Sequence, residues 1–233
     1  MPRPWKLLES ITTAEGQMDL RRRGDSDFAI LIDGRMLMNS YMHRTENAVA
    51  EMGCAPIAGR DAPRVLIGGL GLGFTLRAVL EALPPSASVV VAELEPVVVE
   101  WCQGPVASLT DDAMADPRVE VVVGDVMVEV RDAASGPDNQ RFDAVILDLY
   151  LGPDEAVHGL TDPIFGAPAL ASMKAALTPG GVLAIWGEEP NRRFVRRMRD
   201  SGFQASLTHT LPPGPRHAVY IGRPKESQRR STD

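Results

Sequence analysis

Cysteine is scarce in this chain: among 233 residues there are two, Cys54 and Cys102. They fall in different predicted elements and without metal-ligand spacing, which excludes a disulfide scaffold and a cysteine-built metal site and reads as reduced thiols. No apolar run approaches the roughly 20 residues of a membrane span, and the opening MPRPWKLLES lacks an apolar signal core. The expectation is a soluble cytoplasmic protein without a membrane partner. Basic excess is also missing, with 24 Lys and Arg against 31 Asp and Glu and a net charge of -7. That balance speaks against nucleic acid as a partner, because non-specific binding needs basic surface to displace counterions; it is compatible with a cationic substrate. There is no internal repeat. What is present, 44% hydrophobic and 24% charged residues, is an ordinary globular balance with room for one sizeable domain and a small appendage.

Three regions separate by pattern. Residues 1–44 hold short extended candidates at Leu7–Thr12, Gln17–Arg22, Phe28–Ile32 and Met36–Met38, punctuated by Glu15-Gly16, Gly24-Asp25 and Asp33-Gly34. This is a β-hairpin or meander pattern, too small to hold a core alone. Thr45–Met52 reads as a helix, with Thr45 or Asn39 as its cap. From Arg64 short β-branched runs recur at 65–69, 89–94, 119–125, 144–149 and 182–187, with helical stretches Leu76–Leu83, Pro96–Gly104 and Val126–Ala134 between the first four. Strands apolar on both faces, alternating with helices, indicate a parallel sheet covered on both sides. A Gly/Pro-rich loop at 151–163 precedes a helix at Pro168–Leu177, which TPGG at 178–181 stops. A basic helix comes next at Asn191–Ser201, then an antiparallel pair at the sheet edge formed by GFQASLTHT and HAVYIG. The domain proper runs over 45–222, and 223–233 reads as a disordered tail with almost nothing apolar to bury.

The informative segment is VLIGGLGLGFTL, a buried strand running through Gly69-x-Gly71-x-Gly73 into a helix. Glycines here let the backbone turn sharply and let a ligand lie against the main chain at a helix N-terminus. Glu93, followed by Leu94, ends the next strand, where a carboxylate can accept from both ribose hydroxyls of an adenosine cofactor. Gly124-Asp125 ends the third, where Asp125 can accept from an adenine amino group while adjacent backbone reads the ring edge. Each alone is equally a turn or loop cap; three at successive strand ends describe one cleft. A dinucleotide fits less well, because Phe74 occupies the position where close helix–strand packing wants Gly or Ala.

With these residues assembled, the chain resembles the spermidine synthase-like family, a branch of the class I S-adenosylmethionine-dependent methyltransferase superfamily. The resemblance covers roughly residues 28–222 through LIDGRM, TENAVAEM, VLIGGLGLGFTLR, VAELEPVVVEW, VVVGDVMVEV, FDAVILDLY and LTPGGVLAIW. It implies an α/β fold of the Rossmann-like class I methyltransferase type, a mostly parallel seven-stranded sheet with helices on both faces; the small N-terminal β region is expected to lean on that domain or on a second copy, as a homodimer. It further implies S-adenosylmethionine or its decarboxylated form as cofactor, with S-adenosylhomocysteine or methylthioadenosine as product. Residues at the positions of Glu93, Asp125 and Asp148 then hold ribose, lie near adenine, and deprotonate or position an acceptor amine. Asp148 also stands on chemistry alone, since an attacking amine must be neutral and needs a group to take its proton; the alternative is a loop cap or cofactor ligand.

Two departures accompany the matches. Leu72 stands where the family carries a carboxylate in the glycine loop, and Leu151 where it carries a second one after the fourth strand. Both losses remove groups that would stabilise cationic aminopropyl or polyamine substrates. Tyr150, Asp154 and His158 are placed on the acceptor side, Tyr150 either orienting the acceptor or packing under the loop. Trp186, Glu188 and Glu189 come after the fifth strand and suit a cation, although helix N-terminal acids explain the glutamates as well. Tyr41, Met42 and His43 sit where this fold admits an acceptor, and the arginines of 192–199 read as a solvated face. The expected activity is transfer of an aminopropyl or other alkyl group to a small amine, against methyl transfer or a non-catalytic nucleoside-binding homologue.

Overall fold

The computed structural model describes residues 3–150, 152–153, 161–209 and 217–225. Four short strands open the chain: β1 (Lys6–Thr13), β2 (Gly16–Arg23), β3 (Asp27–Ile32) and β4 (Arg35–Asn39), forming an antiparallel sheet in that order. The β3–β4 hairpin turns on Asp33-Gly34, both at positive φ (47° and 77°). Asp-Gly is the dipeptide that tolerates this pair of left-handed conformations. Met18, Leu20, Phe28, Ile30 and Ile32 are buried in the same cluster as Val49, Val65 and Val89 further along the chain, so the small sheet shares its core with the larger one.

Beyond it come α1 (Arg44–Cys54), β5 (Arg64–Gly68), α2 (Phe74–Ala82), β6 (Ser88–Glu93), α3 (Pro96–Gln103), β7 (Val119–Val123), α4 (Val126–Ser135) and β8 (Phe142–Leu147). The chain closes with α5 (Ala167–Ala176), β9 (Leu177–Gly187), α6 (Arg192–Asp200), β10 (Phe203–His209) and β11 (Ala218–Pro224). The seven strands β5–β11 lie in the order β10-β11-β9-β8-β5-β6-β7, parallel from β9 to β7, with β11 antiparallel to both its neighbours.

Why a two-faced sheet forms is visible in the alternation. Val65, Ile67, Val89, Val91, Ala144 and Ile146 pack with α1, α2 and α3. Leu66, Val90, Val145, Leu147, Leu183 and Ile185 pack with α4, α5 and α6. Successive residues of one strand point to opposite faces, so a fully apolar run fills both. From β5 the chain winds outward through β6 to β7, then returns to β8 on the other flank of β5. That reversal opens a crevice at the strands' carboxyl ends.

One local expectation is corrected. The cap of α1 is His43, not Thr45 or Asn39, and it makes no side-chain capping bond. The helix starts one residue early, leaving Thr45 inside its first turn, where its hydroxyl donates to Glu46 Oε2 at 2.7 Å. TPGG does end α5, as the sequence indicates, and it also forms the beginning of β9. The pairing with β8 shifts register between Phe142 and Ala144, and Gly180 at φ 74° absorbs the extra length as a bulge. No helix among the described residues is long and apolar enough to cross a membrane.

Candidate active site

Three backbone hydrogen bonds tie the strand exits into one row. Asp148 N–H donates to the Gly68 carbonyl at 2.9 Å, Gly69 N–H to the Ala92 carbonyl at 2.9 Å, and Gly124 N–H to the Glu93 carbonyl at 2.8 Å. Asp148, the glycine turn, Glu93 and Gly124-Asp125 therefore stand side by side, in that order, along the crevice.

The turn needs its glycines. Gly69, Gly71 and Gly73 all have positive φ (90°, 54° and 84°), the last capping α2. A Cβ on Gly69 would collide with the Asp148 carbonyl oxygen, and one on Gly71 with Met38 Sδ from β4. Met38 Sδ also accepts from Leu72 N–H at 3.2 Å, and Cys102 Sγ donates to the Gly71 carbonyl at 3.2 Å. Gly69→Ala combines a left-handed backbone with a backbone collision, so it should cost about 2 kcal/mol or more of stability by denaturant unfolding. A variant as stable as the parent would contradict this geometry.

Glu93 is 8% exposed, at the end of β6. Its Oε2 accepts the Leu70 N–H at 2.8 Å and its Oε1 the Glu95 N–H at 2.9 Å. Burial pushes its carboxyl above the usual range, while those backbone donors pull it part of the way back. It thus braces the glycine turn from beneath and lies within its reach. Asp125 is exposed and caps α4 through Oδ1, which accepts the Met127 N–H at 2.8 Å, while Arg131 approaches its other oxygen at 3.7 Å. A helix-capping role is therefore observed for it. Around Gly124 the crevice is open, with nothing within 4 Å of where a Cβ would be. Leu94 and Val123 nearby are 57% and 54% exposed, apolar surfaces without cover.

On the other side of the turn, Asp148 accepts from the Thr75 hydroxyl of α2. Burial raises its pKa to about 7, the negative charge of Glu46 adds to the rise, and the Thr75 hydrogen bond opposes it. His217, just before β11, has Nδ1 3.1 Å from Thr45 Oγ1 and packs edge-on against Trp186 with centroids 5.0 Å apart. The Trp186 indole N–H is buried without a partner among the described residues. Glu188, exposed beyond β9, acts on the charge of His217 together with Glu46. Tyr150 receives a hydrogen bond from Arg35 of β4, whose guanidinium also lies over its ring at 5.2 Å. His43 stacks on Phe74 with centroids 4.1 Å apart, whereas Tyr41 and Met42 are exposed. Leu151, Asp154 and His158 lie outside the described residues.

The model of the spermine/spermidine synthase domain matches residues 43–198, most of this chain. The chain belongs to that family. A polyamine aminopropyltransferase of Mycobacterium tuberculosis (strain H37Rv) is 30% identical over 207 residues, 86% of this chain and 38% of its own length. One from Korarchaeum cryptofilum is 28% identical over 217 residues, 91% of this chain and 61% of its own. The chain thus spans about two fifths of the first of these relatives. Among solved structures, a spermidine synthase from Thermotoga maritima superposes with a TM-score of 0.70 at 20% identity, covering 97% of this chain and 81% of that one. A spermidine synthase in complex with the transition state analogue AdoDATO gives 0.68 at 18% identity, covering 95% and 80%. At those identities the likeness shows the fold.

Leu72, at the position where the family carries a carboxylate, is wholly buried and turned into the core. The residues that the sequence did not mark are Arg35, Met38, Glu46, Thr75 and His217. Glu46 lies within TENAVAEM, Arg35 within LIDGRM and Thr75 within VLIGGLGLGFTLR, three of the segments that carry the resemblance, so their signal was at hand; Met38 had none beyond a strand pattern.

Proposed function

We propose that this chain moves an aminopropyl group from decarboxylated S-adenosylmethionine to a small amine, leaving methylthioadenosine. The observation that carries the reading is the row of strand exits. It sets a glycine turn and a buried ribose-range carboxylate, Glu93, directly beside an elevated-pKa carboxylate, Asp148, in a chain of the spermine/spermidine synthase family.

The residues fit an adenosine. Open space stands over Gly124, and Leu94 and Val123 offer uncovered apolar faces for a base, while Asp148 and Met38 lie against Gly69 and Gly71 of the turn. When bound, the sulfonium supplies an alkyl carbon activated toward displacement. Glu93 would orient the ribose, and the backbone beside Gly124, with Asp125, the base. Asp148 would hold the acceptor amine and take the proton that leaves nitrogen as the N–C bond forms and the C–S electron pair returns to sulfur. Most of the rate would come from holding nucleophile and carbon in attack geometry. Tyr150, held by Arg35, and Trp186 with Glu188 would border the acceptor.

Methyl transfer from S-adenosylmethionine is the second reading, favoured by Leu72, whose buried side chain offers no carboxylate to an aminopropyl ammonium. Calorimetry with decarboxylated S-adenosylmethionine, S-adenosylmethionine and methylthioadenosine separates the two. Preference for the decarboxylated form and for methylthioadenosine is expected; preference for S-adenosylmethionine would select methyl transfer, and binding of none would leave a non-catalytic homologue. The same reading places the protein in the cytoplasm as a homodimer, with Leu7, Leu8 and Met36 of the small sheet, all exposed, as the surface that a second copy would cover.

A further inference from the structure

We propose that His217, Thr45 and Glu46 form a positioning chain for Asp148: the imidazole holds the hydroxyl, the hydroxyl holds the carboxylate, and the carboxylate stands beside the proposed base. This rests on the reading that Asp148 takes the acceptor's proton.

The directions of the hydrogen bonds come from counting protons. Thr45 has one hydroxyl proton, and it goes to Glu46 Oε2 at 2.7 Å. Its contact with His217 Nδ1 at 3.1 Å must then be donated by the ring, so His217 carries its proton on Nδ1. Thr45 is 8% exposed and cannot swing out to water without leaving the first turn of α1. That turn is docked on the first turn of α2: the Thr75 hydroxyl, which donates to Asp148, lies 3.4 Å from the Glu46 carbonyl oxygen. Three separate segments thus meet here: the lead into β11 touches Thr45, Thr45 touches the Glu46 carboxylate, and the start of α2 touches Asp148.

Such an arrangement has a use. A carboxylate of ordinary proton affinity is a poor acceptor for a proton leaving an amine, and proton transfer is most efficient when the base is matched to the working pH. A second negative charge held nearby raises the affinity of the first. Among the described residues the ionisable groups named around the pair come from several elements. Glu46 comes from α1, His217 from the lead into β11, and Glu188 from beyond β9. Arg35 of β4 is paired with Tyr150, two residues past Asp148 along the chain. His43 precedes α1, stacked on Phe74. On α2, Arg77 is committed to Glu81 and Asp111; on β11, the Tyr220 hydroxyl is committed to Asn191 and Glu189. Glu46 is the carboxylate among them whose charge acts on both Asp148 and His217.

The test is the titration of the Asp148 carboxyl by carbon NMR in the full chain labelled at aspartate, with Asp148→Asn to assign the resonance. Glu46→Gln should move its midpoint down by about one pH unit. Thr45→Val should move it the same way in part, and Thr45→Ser should restore it. The acidic limb of the turnover–pH profile should shift with it. An unmoved midpoint in Glu46→Gln, or equal effects of Val and Ser at position 45, would overturn the chain. If Glu46→Gln fails to fold, the Thr45 pair decides alone. Methylthioadenosine binding is read in parallel: its absence from the parent protein would sink the functional reading, while the midpoint comparison would still judge the positioning role.

Discussion

Asp148→Asn should lower turnover by about 100- to 10,000-fold, the range over which a positioned proton acceptor contributes, while methylthioadenosine still binds. The reason is local. The amide keeps the shape and can still accept from Thr75, but it takes no proton from an amine. The same change should make the protein more stable at alkaline pH. The Asp148 carboxyl has its pKa raised from 3.8 to about 7 in the fold, chiefly by burial. A group raised above its unfolded value favours the fold fully at low pH, and that contribution is lost as pH climbs through the folded value. At pH 8 the parent chain therefore carries a charge that folding disfavours and the variant does not, a difference of about 4 kcal/mol, since one pKa unit corresponds to about 1.4 kcal/mol and the rise is from 3.8 to about 7. The gap should close as pH falls from 8 toward 4. Melting curves at the two ends of that window check it, and an Asn variant that melts below the parent at pH 8, or turns over normally, would remove Asp148 from the role of base.

Glu93→Ala should weaken methylthioadenosine binding by about 5- to 150-fold, equivalent to about 1–3 kcal/mol of lost hydrogen bonding. Here the structure adds a complication, because both oxygens of Glu93 already accept backbone N–H groups from Leu70 and Glu95. Removing the carboxylate loosens the glycine turn as well as any ribose contact. Glu93→Gln separates the two effects: the amide oxygen can still accept the Leu70 N–H, so stability should fall less than with Ala, while the NH2 cannot accept from a hydroxyl. Calorimetry on both variants, beside their unfolding curves, is the check. Unchanged nucleoside affinity in the Gln variant would leave Glu93 as a brace and nothing more.

Much of this architecture is legible in the sequence because it depends on short-range patterns. β5, β6 and β8 are apolar on both faces, and a strand with no polar face has to be covered twice. Gly69, Gly71 and Gly73 announce a backbone that no other residue adopts cheaply. The acids at the strand ends come from the same counting. What escapes is whatever one element does to another. Thr75 meets Asp148 across 73 residues, Arg35 meets Tyr150 across 115, and His217 meets Thr45 across 172. No periodicity within a helix or strand carries information about such partners. Local chemistry misleads in one further place. Thr45 has the side chain of a cap but lies too deep in the first turn for it. Pro179-Gly180 does stop α5 and is also accommodated in β9 as a bulge, where Arg60 donates to the Pro179 carbonyl at 2.7 Å. Asp125 shows the opposite case, where a residue chosen for one task is seen performing the humbler one, capping α4.

Strand β4 is five residues long, yet Met38 fills the concavity over Gly71 while Arg35, three residues earlier, steadies Tyr150. One short segment therefore touches the loop that would grip the nucleoside and the side chain that would border its partner. A graft that transplanted residues 45 onward into another host would leave both supports behind. The portable unit is the cleft together with the hairpin that ends at Asn39, and attempts to probe self-association should use surface substitutions on β1 rather than amputation of the whole small sheet.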